Sequence, residues 1–395
     1  GFSSTRDADG FARPQGSWAH CYHPNSWIYG PNINRLSDAN SGDIIYDQDG
    51  QLVEIEAVTK RQYNGKMINI KSSSGEHLVT EDHIFLIRTN GSNLISRPYL
   101  NYKDGRKYQN SKIEFDVLTI PLEAKNSLIF VAAKDLQKSD VLIMPRIELS
   151  KLCIIPDYEY KSKSKTRLPK LIINNELAWF FGLYAGDGYS VKNHKIKIIL
   201  NSKDTDKIDR AVLAIKNNFG LTAHVYKRKD ANAVNITVYN AQLANFMKKW
   251  FDMKKNKQFP AWLLNSQFDL MSLINGFCDA DGTKLFNKNG SVYLQISNTS
   301  EKIINQIYLV LTSIGMSPSR WISKSDSGFK PNSINYFIGV NTSKVTNSKF
   351  EECKIKDIDM SEYSGEVISL ETSDSHTYIC NGSVSHNCMC FIAFD

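Results

Sequence analysis

The sequence predicts an all-β domain in two separated segments, interrupted by an α+β domain that carries an internal duplication. Three observations lead there. Short β-type runs divided by turn signals fill residues 21–148, and β character returns after about residue 350. Between them, within residues 171–347, the same succession occurs twice: an apolar helix ending in Asp-Gly, then β-like segments, then an amphipathic helix. Charge divides along the same lines, since residues 151–350 hold 29 Lys/Arg against 14 Asp/Glu, and the remainder holds 19 against 27. A basic block inside an acidic frame points to a polyanionic partner for the middle segment alone, because phosphate neutralisation needs Lys and Arg on one surface.

At 395 residues and 42% hydrophobic, the chain exceeds what one core usually serves, so two or three domains are expected. No run of about 18 apolar residues occurs, and Gly1-Phe2-Ser3-Ser4-Thr5 has neither a charged nor an apolar leader character. A cytoplasmic protein without a membrane partner is the expectation. Seven cysteines, odd in number and irregularly spaced, argue against a disulfide framework and against a zinc knuckle.

Taken in order, residues 1–20 lack a periodic apolar pattern and read as a tail. Segments 52–58, 67–70, 77–80 and 84–87 read as strands of a β domain spanning 21–150. The polar, basic and proline-broken stretch Lys161–Lys170 marks a linker, 151–170. The duplicated domain, 171–347, has its first helix at Leu177–Gly188 and a second near Asp206–Phe219; their counterparts are Leu273–Gly282 and a helix near Glu301–Ile314. Strands at Gly365–Glu371 and Thr377–Cys380 resume the β domain over 348–387, leaving 388–395 as a second tail.

Gly182 and Gly186 are four apart in one helix, and Gly276 and Ala280 repeat the spacing in the other, so each has a face nearly free of side chains. Each helix then ends in an aspartate, Asp187 or Asp281, where the helix dipole opposes a carboxylate. An unfavourable placement made twice suggests use. Side-by-side packing would bring both carboxylates to one spot, where a divalent cation, Mg²⁺ by preference, offsets their repulsion and activates water against a phosphodiester.

Phe180-Phe181-Gly182-Leu183-Tyr184-Ala185-Gly186-Asp187-Gly188 and Ile274-Asn275-Gly276-Phe277-Cys278-Asp279-Ala280-Asp281-Gly282 resemble the paired motifs of LAGLIDADG homing endonucleases. The resemblance implies duplicated αββαββα halves acting as a monomer, a saddle of strands on double-stranded DNA carrying the homing site, and Asp187 and Asp281 as metal ligands. Lys257, in Lys257-Gln258-Phe259-Pro260, resembles the family's Lys-x-x-Pro element, whose lysine assists near the scissile phosphate.

At the far end stands His386-Asn387-Cys388, and near the start stands Cys21. An asparagine can attack its own carbonyl carbon through its side-chain amide, with a neighbouring histidine as proton donor. Two cysteines at the edges supply thiols for acyl transfer. These residues, with Thr80-Glu81-Asp82-His83, Lys134–Pro145 and Val367–His376, resemble the Hint fold of inteins, which excise themselves from a host chain. That resemblance implies splicing without a cofactor: Cys21 as first nucleophile, Thr80 and His83 at the amino-terminal scissile amide, Cys388 as second nucleophile, and Asn387 cyclising with His376 and His386. Residues 1–20 and 388–395 would then be extein pieces of the host, in cis. Many inteins carry an acidic residue where Ser369 stands. His23, His77, His194 and His224 fall in no motif and receive no role.

A splicing element with an inactive endonuclease and a stand-alone DNA-binding protein on a β scaffold are the rival readings. A hedgehog-like autoprocessing domain is disfavoured by Asn387-Cys388. Pairing of Cys21 with Cys388 or Cys390 would make splicing sensitive to reductant.

Overall fold

The computed structural model describes residues 20–89, 128–149, 155–159, 167–228, 232–251, 257–265, 268–288, 290–324, 333–373 and 375–387, with the backbone of 100–101. Residues 1–19 and 388–395 with Cys388 and Cys390, Cys153 and part of the predicted linker lie outside the described residues. The chain divides into two compact units: Gly1–Ile147 together with Ser348–Asp395, and Glu148–Asn347. Among the described residues no helix is long and apolar enough to cross a membrane.

The first unit is built on two long strands, Leu52–Ser72 and Phe350–Thr372, which pair antiparallel from Ile355↔Ser72 to Thr372↔Ile55. The two runs expected as separate strands at 52–58 and 67–70 are thus one. Residues 59–66 continue the pairing because residues 362–369 lie opposite them. The amino-terminal segment is sewn between two strands: Tyr22 exchanges backbone bonds with Ile368 (2.9 Å each), and His23 N–H donates to the Leu78 carbonyl (3.0 Å). At the other end Thr377–Cys380 and Ser383–His386 form a hairpin. Its two-residue turn, Asn381-Gly382, has φ of 50° and 81°, a left-handed pair that glycine and asparagine tolerate and that matches strand twist. The hairpin joins the sheet through Ser385↔Phe85 and Ile28↔Cys380. Its core holds Tyr22, Phe85, Phe130, Val367 and Tyr378, all fully buried.

The second unit contains helices α1 (Asn175–Asp187), α2 (Thr205–Phe219), α3 (Ala241–Trp250), α4 (Ala261–Leu264), α5 (Leu270–Asp281) and α6 (Glu301–Ser313). Caps set where they start: the Asn174 side chain accepts from Leu177 N–H (2.8 Å), Asn240 from Leu243 N–H (2.9 Å) and Asp269 from Met271 N–H (3.0 Å). Two four-stranded antiparallel sheets have the same order. In the first, Gly188–Val191, Lys195–Asn201, Ala233–Tyr239 and His224–Lys227 lie side by side; in the second, Gly282–Phe286, Val292–Asn298, Ile334–Asn341 and Ser319–Lys324 do.

One expectation is corrected. The first half runs αββαββα, but α3, its closing helix, has no counterpart among the described residues of the second half. There Asn341-Thr342-Ser343-Lys344-Val345-Thr346-Asn347 follows the last strand, a polar stretch with no apolar stripe to bury against the sheet.

Candidate functional site

In the first unit the sheet gathers groups around two peptide bonds, His20–Cys21 and the one that follows Asn387. Cys21 N–H donates to Thr80 Oγ1 (3.0 Å), and the Cys21 carbonyl accepts from Thr80 N–H (3.0 Å) and from its hydroxyl (3.4 Å). His83 is fully buried close to His20, with neither ring nitrogen hydrogen-bonded among the described residues. Burial, then the neighbouring rings of His20, His77 and His386, hold its pKa well below the ordinary 6.5, so it is neutral at pH 7 and able to take a proton from a near neighbour. The Cys21 thiol is buried, which pushes its pKa up; the Arg61 guanidinium, with Nη2 donating to Sγ at 3.1 Å, pulls the other way.

At the second bond, His386 Nδ1 lies 3.0 Å from the Asn387 carbonyl oxygen, the position of a donor to the oxyanion that forms when that carbon is attacked. Surrounding donors and acceptors orient the Asn387 carboxamide: its oxygen accepts from Thr372 N–H (3.1 Å) and its nitrogen donates to the His376 carbonyl (2.8 Å). The His376 ring Nδ1 lies 3.5 Å from the same carboxamide. His376 has φ of 52°, a left-handed conformation that costs a non-glycine residue about 1 kcal/mol or more and turns both its ring and its carbonyl toward Asn387. Tyr22 ties the two ends together. Its ring packs edge-on to His83 (4.4 Å between centroids), and its hydroxyl bonds Ser385 Oγ (2.9 Å), next to His386.

In the second unit α1 and α5 pack backbone to backbone. A Cβ on Gly182 would lie 2.1 Å from the Leu273 carbonyl oxygen, one on Gly276 1.9 Å from that of Trp179, and one on Gly186 2.3 Å from Ala280 Cβ. Gly188 and Gly282, after the aspartates, are needed for space and not for a left-handed cap: their φ are −89° and −129°, and a Cβ would meet the Tyr184 ring or Cys278 Sγ.

This packing brings the aspartates together. Burial, and next the charge of Asp281, raise the Asp187 pKa to about 6, against the pull of Lys257 and Lys207. Burial likewise raises Asp281, against Lys257 and a hydrogen bond from Asn298 Nδ2 (2.7 Å). Lys257 Nζ donates to the Gly186 carbonyl, one residue before Asp187. Its segment is pinned to α6: Phe259 exchanges bonds with the Gln306 amide (2.8 and 2.7 Å), and Ser300 Oγ donates to the Lys257 carbonyl (2.8 Å).

Among the described residues no group of three or more His, Cys, Asp or Glu is placed to hold a metal ion. Two half-buried carboxylates with raised pKa values nonetheless fit a hard divalent cation that fills its remaining positions with water and phosphate oxygens, as Mg²⁺ does. The first sheet turns Lys195, Lys197 and Ile199 away from the buried Ile196, Ile198 and Leu200, and Lys195 lies over the Tyr239 ring (5.2 Å).

Sequence reading missed Arg61, Thr372, Asn298 and Lys207. Each lies outside the motif it serves and carries no local pattern. It also assigned nothing to His77, which is fully buried and bonded to Ser74 Oγ (3.2 Å), Ser383 Oγ (3.3 Å) and the Tyr22 hydroxyl (3.4 Å), a support of the hairpin.

Residues 174–250 match the family model described as LAGLIDADG-like domain. The second unit thus carries a domain of that class. The chain is 21% identical to the ATP-dependent DNA helicase Hel308 of Thermococcus kodakarensis over 93% of its own length and 36% of the relative's. It is 22% identical to the uncharacterized protein MJ0043 of Methanocaldococcus jannaschii over 97% of its length and 52% of that protein's. It therefore spans only about a third to a half of the length of these two relatives. Among solved structures, the I-DmoI complex with DNA and Ca superposes with a TM-score of 0.31 at 15% identity, covering 43% of this chain and 84% of that one. A gp41-1 intein variant superposes with a TM-score of 0.15 at 18% identity, covering 16% and 51%.

Proposed function

We propose that residues 21–387 excise themselves and ligate His20 to Cys388, and that the interrupting unit is a metal-dependent endonuclease acting on double-stranded DNA. The observation that carries the splicing reading is the convergence on both scissile bonds: Thr80 and His83 on His20–Cys21, and His386 and His376 on Asn387.

The first step is transfer of the His20 acyl group from the Cys21 nitrogen to its sulfur, with His83 moving the proton and Thr80 holding the amide. Cys388 takes the acyl group from Cys21. The Asn387 carboxamide nitrogen then attacks the Asn387 carbonyl carbon, releasing the Cys388 amine, while His386 Nδ1–H donates to the oxyanion. A closing S-to-N shift makes the new peptide bond. Holding both ends in one sheet supplies effective concentration, so no cofactor is required.

For the nuclease, Asp187 and Asp281 would hold the cation, which when bound supplies charge neutralisation and an activated water. Lys257 stands beside both carboxylates. The outward lysines and tyrosines of the strands suit a phosphate backbone and base edges. The protein is expected to act as a monomer, in the compartment of its host.

Intact mass after expression under reducing conditions tests the splicing half: the expected products are Cys21–Asn387 alone and the two flanks joined. Uncut chain, or flanks released but unjoined, would defeat ligation. For the nuclease half, nicking of the uninterrupted host gene in Mg²⁺ is the expected result.

A further inference from the structure

The guanidinium on the Cys21 sulfur has no place in the steps above. Arg61 lies on the long strand Leu52–Ser72, opposite Val367, and reaches Cys21 Sγ at 3.1 Å through Nη2. Its Nε is buried without a hydrogen-bond partner. The next cross-strand pair on the same face, Thr59 and Ser369, is uncharged; Glu366 stands in the adjacent pair opposite Gln62, and Glu81 and Asp82 lie near Tyr63. Asp82, in the same region, is held by Lys134 Nζ at 2.6 Å. Tyr63 on the same strand, Tyr363 on the opposite strand and Leu78 pack around the thiol, Tyr378 faces it from the hairpin, and Arg61 is the cation bonded to the sulfur among the described residues.

We propose that Arg61 is a catalytic residue of the first acyl shift, its guanidinium holding the Cys21 sulfur as the anion that attacks the His20 carbonyl carbon. A buried thiolate without a partner is costly, and a charge-assisted bond from a group that never deprotonates is a direct offset. In the step, the S–C bond forms and the His20–Cys21 C–N bond breaks. The released electron pair goes to the Cys21 nitrogen, which receives the proton the thiol gave up, carried by His83. The step is an isomerisation and needs no oxidant or co-reactant. After it, the sulfur is a neutral thioester, and Arg61 releases it.

The inference rests on the splicing reading, and its test separates the two. In the full chain carrying Asn387→Ala and Cys388→Ala, only the first shift remains. Release of the amino-terminal flank by dithiothreitol then reports it across pH 6–9. Arg61→Met should slow release about 10–100-fold at pH 7, the weight of one charge-assisted bond, and move the rising alkaline limb to higher pH. Arg61→Lys should recover part of both. Cleavage after Asn387, measured in Arg61→Met with Asn387 intact, should be unchanged, which shows that the unit still folds. A rate drop equal at every pH, with no recovery by lysine, or no drop at all, would overturn the role of Arg61 while splicing stands. If the parent chain releases no flank at any pH, the splicing reading falls and this step with it.

Discussion

The two proposed centres are set up on opposite electrostatic terms. In the first unit a histidine is buried in its neutral form, and backbone groups of Thr80, Thr372 and His376 fix the reacting atoms. In the second unit two carboxylates are forced into one place by helices that touch through glycine, and each is held above its ordinary pKa. Two carboxylates so placed repel one another, and a bound cation would offset that repulsion. On the proposed function, folding would finish the first centre, whereas a cation would finish the second.

The widest gap between them should come from crossed substitutions. Asp187→Asn or Asp281→Asn should reduce DNA cleavage by about 1,000-fold or more while splicing, read by intact mass, continues at the parent rate. Loss of splicing in either would show that the centres are not independent.

Next is the packing of the second unit. Gly276→Ala places a Cβ 1.9 Å from the Trp179 carbonyl oxygen, and neither helix backbone can give way without losing the other contacts. A destabilisation of about 1–3 kcal/mol is expected, confined to the second unit's thermal transition. A melting curve in which the first unit's transition falls equally would contradict the separation.

The smallest effect is a contrast in pH dependence. His83 is held below its ordinary 6.5, so protonating it opposes the folded state; its contribution to the first unit is present above pH 6.5 and is lost as pH falls further. Asp187 is raised from 3.8 to about 6, so its contribution is present below pH 3.8 and is lost as pH rises through about 6. That amounts to at most about 3 kcal/mol. Thermal melts in EDTA should show the second unit weakening between pH 4 and 6, with Mg²⁺ restoring it at pH 7 and Asp187→Asn reducing the trend to what Asp281 contributes. An unchanged melt on adding Mg²⁺ would count against a cation at the pair.

Much of the second unit was legible in advance. A helix that ends in Asp-Gly with small residues four apart is a local pattern, and its recurrence about a hundred residues later is visible without any fold. The missing closing helix was not legible, because the expectation of it came with the family resemblance and not from the residues after Asn341. In the first unit the long ribbon was read as separate strands, since residues 59–66 look like a turn until the opposite strand is present to bind them. His77 fell in no motif, and only its three hydroxyl partners, drawn from three segments, show what it supports.

By itself, then, the sequence determined what repeats or alternates within a turn or a strand: the β character of both outer segments, the two aspartate-ended helices, the basic middle, and the cysteine and asparagine at the edges. The tertiary structure alone decided what those groups face. Arg61 on the Cys21 sulfur, Thr372 on the Asn387 carboxamide, Asn298 and Lys207 beside the aspartates, and Tyr22 spanning both ends are contacts whose partners lie far apart along the chain or depend on a turn. A side chain's charge and size are written in its own position, but the partner that shifts its pKa or holds its proton is chosen by sheet register and helix packing.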